Sequence, residues 1–201
     1  MTRADAVRNR RLLVDAAAAE FAENGTDVSI TRIATRAGVG KGTVFRHFDT
    51  KEQLLAEVFS DRLEELVAVG RGLTGADDAG AALFEFMRVG VEIHVRDRSF
   101  CQAAAELSPS EASVRASRER LAEVTDALVA RAREAGSVRE DVTGLDVVLL
   151  LSGAAQAVLS IGENPRGPLW QRYLALIVDG LRPEGAHPLP VPAPTLGEFT
   201  G

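Results

Sequence analysis

Residues 29–48 read SITRIATRAGVGKGTVFRHF. In the first half, Ile30, Ile33, Ala34 and Ala37 recur at i, i+3, i+4 and i+7, so they share one face of a short helix over 29–37. Thr31, Arg32, Thr35 and Arg36 take the other face. Gly38 stops this helix, because glycine enters the positive-φ region without steric cost, and Val39 adds an apolar anchor. A second short helix over 40–47 starts at Gly40. Its Val44 and the following Phe48 stand at i,i+4 and face the core, while Lys41, Thr43 and Arg46 point elsewhere. Two short helices across a glycine turn, with small residues at the crossing and cationic outer faces, describe a helix-turn-helix. Such a pair cannot bury its own core, so the segments on either side must complete it.

Those segments are helical too. A helix over 5–23 carries a mostly apolar stripe of Leu13, Ala16, Ala17, Glu20 and Phe21, and Asn24-Gly25 ends it. Downstream, Thr50-x-x-Gln53 fits a capping box opening a long helix over 51–69, whose buried side is Leu54, Leu55, Val58, Phe59, Leu63, Leu66 and Val67. Gly70, Gly72 and Gly75 predict a loop. A helix over 77–95 is apolar on two sides, which places it centrally in its domain. Its polar strip is Glu85, Arg88, Glu92 and Arg96. Further helices are predicted over 98–107, 110–135, 143–162 and 168–182, with Pro168 suited to a first helical position. Sustained strand alternation is absent and helical periodicity dominates, so the predicted fold is all-α. It divides into a three-helix head over 1–50, a helical body over 51–182 and a tail over 183–201. The tail holds five of the eight prolines and reads as disordered.

Composition narrows the function. Of 201 residues only Cys101 is a cysteine, so no intrachain disulfide forms and a reducing, cytoplasmic setting is expected. His47, His94 and His187 lie too far apart for the usual zinc spacing. The longest uncharged apolar run, 147–162, has 16 residues and is too short to span a bilayer. Residues 1–51 hold nine basic and six acidic groups, whereas 52–201 hold 14 and 23. That asymmetry fits an anion-binding head on an acidic body or chance alone, and charge by itself does not choose. GVGKGT at 38–43 lacks the Gly-Lys-Ser/Thr order and the preceding strand of a phosphate loop. Asp77-Asp78 suits a helix cap better than a metal. No catalytic constellation, metal site or cofactor motif emerges.

With ITRIATRAGVGKGTV followed by FRHFDTKEQLL, and a preceding helix that ends in FAENG, the chain resembles the TetR family of bacterial transcriptional regulators over about residues 8–59. The resemblance implies an all-α homodimer with an N-terminal DNA-binding head and a C-terminal domain that dimerises and takes a small-molecule effector. It also implies a repressor that leaves a palindromic operator when a small hydrophobic ligand binds. Thr31 and Arg32 match DNA-touching positions of the first motif helix, and Lys41, Thr43 and Arg46 match groove-entering positions of the second. Phe45 stands where the family often has a tyrosine giving its hydroxyl to phosphate, and Arg46 replaces a second common aromatic. Gly42 stands where proline or a larger residue is usual, which leaves room for close backbone approach. His47 and Lys51 match phosphate contacts. Lys51 has an independent argument. A cation in the first turn of a helix is unfavourable by ~0.3–1 kcal/mol, and a phosphate at that terminus reverses the penalty.

In the body, an apolar effector pocket is expected from Phe59, Leu63, Leu66, Phe84, Met87, Val91, His94, Phe100, Leu121, Val124 and Leu128, with Gln156 or His94 as a polar handle. The same residue types also suit a filled core, and a histidine like His94 is more often a core residue than a ligand contact. For the dimer interface, small groups around Gly153 and Ala157 permit close helix approach. Trp170, Tyr173, Leu174, Ile177 and Leu181 cover a broader arc than one core stripe needs. The rival reading is a helical enzyme or protein-interaction domain whose first 50 residues only resemble a DNA reader.

Overall fold

The computed structural model describes residues 3–96, 112–161 and 169–195, together with Ala103, Leu107 and Gly197. Among them are eight α-helices and no strand: α1 Arg3–Asn24, α2 Ile30–Arg36, α3 Lys41–His47, α4 Lys51–Leu73, α5 Ala79–Arg96, α6 Ala112–Glu134, α7 Gly144–Ser160 and α8 Leu169–Leu181. The helix predicted over 98–107 lies outside the described residues, apart from Ala103. Two compact units result. One comprises residues 1–62 with 97–114, and the other residues 63–96 with 115–201.

In the first unit, α1 packs on α2 and α2 on α3. Leu13, Ala17, Phe21, Ile33, Ala34, Val44, Phe48 and Leu54 are all buried there. The stops act as the sequence predicts: Gly25 and Gly38 have φ of 78° and 70°, in the left-handed region where a Cβ is strained. Two arginines, Arg10 and Arg11, fasten α1 to α4, and a third, Arg8, pairs within α1. Arg10 pairs with Glu57 of α4 while its guanidinium lies 4.6 Å from the Phe48 ring centroid. Arg11 bridges Asp15 at 2.9 Å and Asp61 of α4 at 2.7 Å. Arg8 pairs with Asp5 at 2.9 Å. At the start of α4 the Thr50 hydroxyl oxygen accepts from the Gln53 amide, and the Gln53 carbonyl reaches back to the Asp49 amide.

In the second unit α5 is central, packing on both α7 and α8, as its two apolar sides require. Leu83, Phe86, Met87 and Val91 of α5 are buried. Asp78 caps this helix by accepting from the Ala81 amide at 2.8 Å. The predicted glycine loop begins later than expected, because α4 continues to Leu73. Gly70 is buried inside it, where a Cβ would stand 3.0 Å from Val124 and 3.2 Å from Phe86. Close packing, rather than a turn, is what this glycine serves. The loop that does follow is gripped by Arg131 of α6, which donates to the carbonyls of Thr74 (2.5 Å) and Ala76 (2.6 Å). A capping box between Thr143 and Asp146 opens α7. Beyond α8 the chain is non-helical through Thr195. There Arg139, paired with Asp141, donates to the carbonyl of His187. No helix among the described residues is long and apolar enough to cross a membrane.

Candidate nucleic-acid interface

Ser29 starts α2 by accepting the Arg32 amide on its hydroxyl oxygen. The helix closes with Ala37 donating to Ile33, Gly38 to Thr35 and Val39 to Ala34, so the glycine turn satisfies the carbonyls a helix end leaves open. Gly40 then opens α3. Val44 is fully buried, which fixes the rotation of α3 about its axis. Lys41, Gly42, Phe45 and Arg46 are consequently exposed, and Thr43 and His47 half-buried. Lys41 Nζ lies 5.7 Å from the centroid of the Phe45 ring. The aromatic that lacks a hydroxyl thus supports a cation through its π face. Lys51 is the first residue of α4 and half-buried. His47 Nε2 is buried with no hydrogen-bond partner, so a phosphate contact from this residue would have to use Nδ1.

The cations described on α1, α2 and α3 and at the start of α4 fall into two groups. Arg8, Arg10, Arg11, Arg32 and Arg36 all face carboxylates. Lys41, Arg46 and Lys51 form no salt bridge among the described residues, although Lys51 is attracted to the carboxylate of its chain neighbour Glu52. Arg32, expected at DNA, gives Nε to Glu20 at 2.6 Å. Arg36 spans Glu20 and Glu23, and its hydrogen bond holds the Glu23 carboxyl below its ordinary pKa. Thr31 is exposed, and its carbonyl accepts the Thr35 hydroxyl. Glu20 was absent from the expected site, although a carboxylate inside an otherwise apolar stripe is a legible signal.

The expected effector residues divide. Leu63, Leu66, Met87, Val91, His94, Leu121, Val124 and Leu128 are buried in the second unit. Phe59 is buried in the first unit. Phe84 lines an open groove of about 620 Å³ between α5 and α8, together with Trp170 and Leu174. Gln156 is exposed on α7, and Phe100 lies outside the described residues. His94 donates Nδ1–H to the Gly90 carbonyl at 2.7 Å, and burial lowers its pKa.

Of the expected interface residues, Gly153, Tyr173, Ile177 and Leu181 line a second groove of about 720 Å³ between α7 and α8. Trp170 and Leu174 turn instead toward α5, and Ala157 is exposed on α7. The second groove adds Leu149, Leu150, Leu176 and Leu189, which the expected interface omitted. The run VVLLL at 147–151, apolar on every side of a helix, is the signal for the first two.

Two family models match the chain. Residues 13–58 match "Bacterial regulatory proteins, tetR family", and residues 78–183 match "Transcriptional regulator SbtR-like, C-terminal domain". The chain is 30% identical over 175 residues to the HTH-type transcriptional repressor Rv1474c of Mycobacterium tuberculosis, a match covering 78% of this chain and 85% of that protein. The crystal structure of the TetR transcription regulatory protein from Mycobacterium vanbaalenii aligns with a TM-score of 0.63 at 35% identity, over 90% of this chain and 98% of that one. The TetR transcriptional regulator SCO0520 from Streptomyces coelicolor aligns with a TM-score of 0.59 at 29% identity, over 87% and 98%. Model matches over both the head and the body, and 30% identity to a repressor over 78% of this chain, place this chain in the TetR family of bacterial transcriptional regulators.

Proposed function

We propose that this TetR-family regulator works as a homodimeric repressor in the cytoplasm. It reads a palindromic operator through α3 and leaves it when a small hydrophobic effector binds. The observation that carries the reading is the division of charge in the first unit. Among the described residues the cations on α3 and at the start of α4 form no salt bridge, whereas those of α1 and α2 are paired. Unpaired cations beside an exposed motif helix are what phosphate neutralisation requires. Lys41, Thr43 and Arg46 then reach base edges, with Gly42 allowing close backbone approach, and Phe45 packs beneath Lys41. Lys51, with His47 through Nδ1, holds the phosphate backbone. The head lies within residues 1–50 and the effector and dimerisation functions within 51–182. No reaction is assigned to the chain.

Selection of bound fragments from genomic DNA tests this directly. Two related half-sites are expected, since a symmetric dimer presents two recognition helices. Recovery of a single asymmetric half-site bound by a monomer would refute the dimeric reading. The effector is placed among Leu66, Met87, Val91, Leu121, Val124 and Leu128, an apolar set with His94 as its polar member. Linkage supplies the criterion: a true inducer binds the operator-bound protein more weakly, by the factor with which it weakens operator binding. A compound with equal affinity for both forms is not the inducer.

A further inference from the structure

The carboxylate of Glu20 sits among the cations of α2. It belongs to the buried stripe of α1, and only 5% of the residue is exposed. Its oxygens receive Arg32 Nε at 2.6 Å, Arg36 Nη1 at 3.0 Å and Asn24 Nδ2 at 2.9 Å. The two arginines are not held alike. Arg36 also donates both Nη atoms to Glu23, at 2.7 and 2.5 Å. Arg32 has Glu20 as its salt-bridge partner, with Glu23 attracting it only through space, and 55% of its side chain is exposed. Removing one partner of a buried ion pair is costly because the remaining charge is left uncompensated. That cost is avoided at Arg32: when it leaves, Glu20 keeps Arg36 and Asn24. Arg32 is therefore exchangeable, and Arg36 is fixed.

In a helix-turn-helix the first helix crosses the DNA backbone. Arg32 is the third residue of α2, next to the exposed Thr31. A phosphate and the Glu20 carboxylate offer this guanidinium the same kind of charged acceptor, so they compete for it. We propose that Glu20 is a specificity-determining residue that withholds Arg32 from DNA phosphates until the head docks closely on its operator. The inference rests on the operator-binding reading. Non-specific affinity follows the number of phosphates neutralised. Holding one cation back lowers that affinity, while a fully docked operator complex regains the contact. The ratio of specific to non-specific binding rises as a result.

The test measures binding to a duplex without operator sequence across a salt series. Glu20→Gln keeps the size and one acceptor oxygen but removes the charge. The slope of log K against log salt should steepen by about 0.9 per head, so that affinity falls an extra ~3.5-fold per head between 50 and 200 mM. Arg32→Ala in the otherwise unmodified chain should leave the non-specific slope unchanged. In the Glu20→Gln background the same substitution should restore the original slope. An equal or shallower slope in Glu20→Gln overturns the proposal. So does Arg32→Ala alone lowering the slope by about 0.9. Because Arg32 is exposed, that second arm decides the question even where Glu20→Gln fails to fold. An unmodified chain that binds no duplex at low salt overturns the operator-binding reading itself, which is a distinct result.

Discussion

Leu176 is the most exposed leucine of the α7–α8 groove, at 56%, with Leu149 at 44% and Leu150 at 40% beside it. If this groove is the face that a second copy covers, replacing Leu176 by asparagine should weaken the dimer. Asparagine has nearly the same size, so the loss is one of transfer free energy rather than of shape. Fully burying a leucine is worth ~1.5–3 kcal/mol, and the exposed share of Leu176 scales that to roughly 0.8–1.7 kcal/mol per subunit. A two-fold interface uses the same residue twice, giving roughly 2–3 kcal/mol and a dissociation constant about 30- to 150-fold weaker. Because the side chain is already exposed in the single chain, folding should be spared. Sedimentation across a concentration series measures the constant. Leu12→Asn is the control, since Leu12 on α1 is 47% exposed but remote in sequence from this face. An unchanged constant in Leu176→Asn, or an equal loss in Leu12→Asn, would refute the assignment of this face.

The other expectations concern charge, packing and pH. Lys51→Ala should lower the salt slope of operator binding by about 0.9 per head, measured by titration at several salt concentrations. Arg11→Ala should leave it unchanged, because Arg11 is committed to Asp15 and Asp61. Equal effects from the two would contradict the division of cations. Gly144→Ala should destabilise the fold by about 1–3 kcal/mol in denaturant titrations, since a Cβ there would stand 2.5 Å from the backbone nitrogen of Asp126. A variant as stable as the parent would show that the α6–α7 approach is looser than described. Burial lowers the pKa of His94 in the folded chain, so the unfolded chain takes the proton first as pH falls. The stability contributed by neutral His94 is present above about pH 6.5 and declines below it, toward the lowered folded value. His94→Gln should therefore flatten the fall in melting temperature between about pH 7.5 and 5.5. The same slope in both proteins would remove His94 as its source.

How much of this was legible in the chain depended on sequence distance. The motif helices were, because Ile33, Ala34 and Val44 declare their faces within a few residues and Gly38 marks the turn. The central place of α5 followed from apolar groups on two sides. Gly70 was misread as a loop signal, because its purpose is the approach of Val124 and Phe86, 54 and 16 residues away in the chain. The face of α3 carried its own signature, but the commitment of Arg32 did not. Arg32 and Glu20 are 12 residues apart on different helices, and only the folded head joins them. The apolar groove was half-visible. Tyr173 and Ile177 announce themselves by helical spacing, whereas Leu189 reaches it from beyond the last helix. The hold of Arg139 on His187, 48 residues on, has no local pattern at all.

That hold on the tail bears on how the chain behaves in solution. The attachment of the His187 carbonyl to Arg139 lies two residues from Leu189, which sits at the edge of an apolar groove. A chain shortened at Arg182 would lose that rim and bare more of Leu149, Leu150 and Leu176 to water. Contiguous exposed apolar surface is what drives aggregation of otherwise well-folded proteins. Trimming the proline-rich end, a routine step for making a protein easier to handle, would here make it stickier.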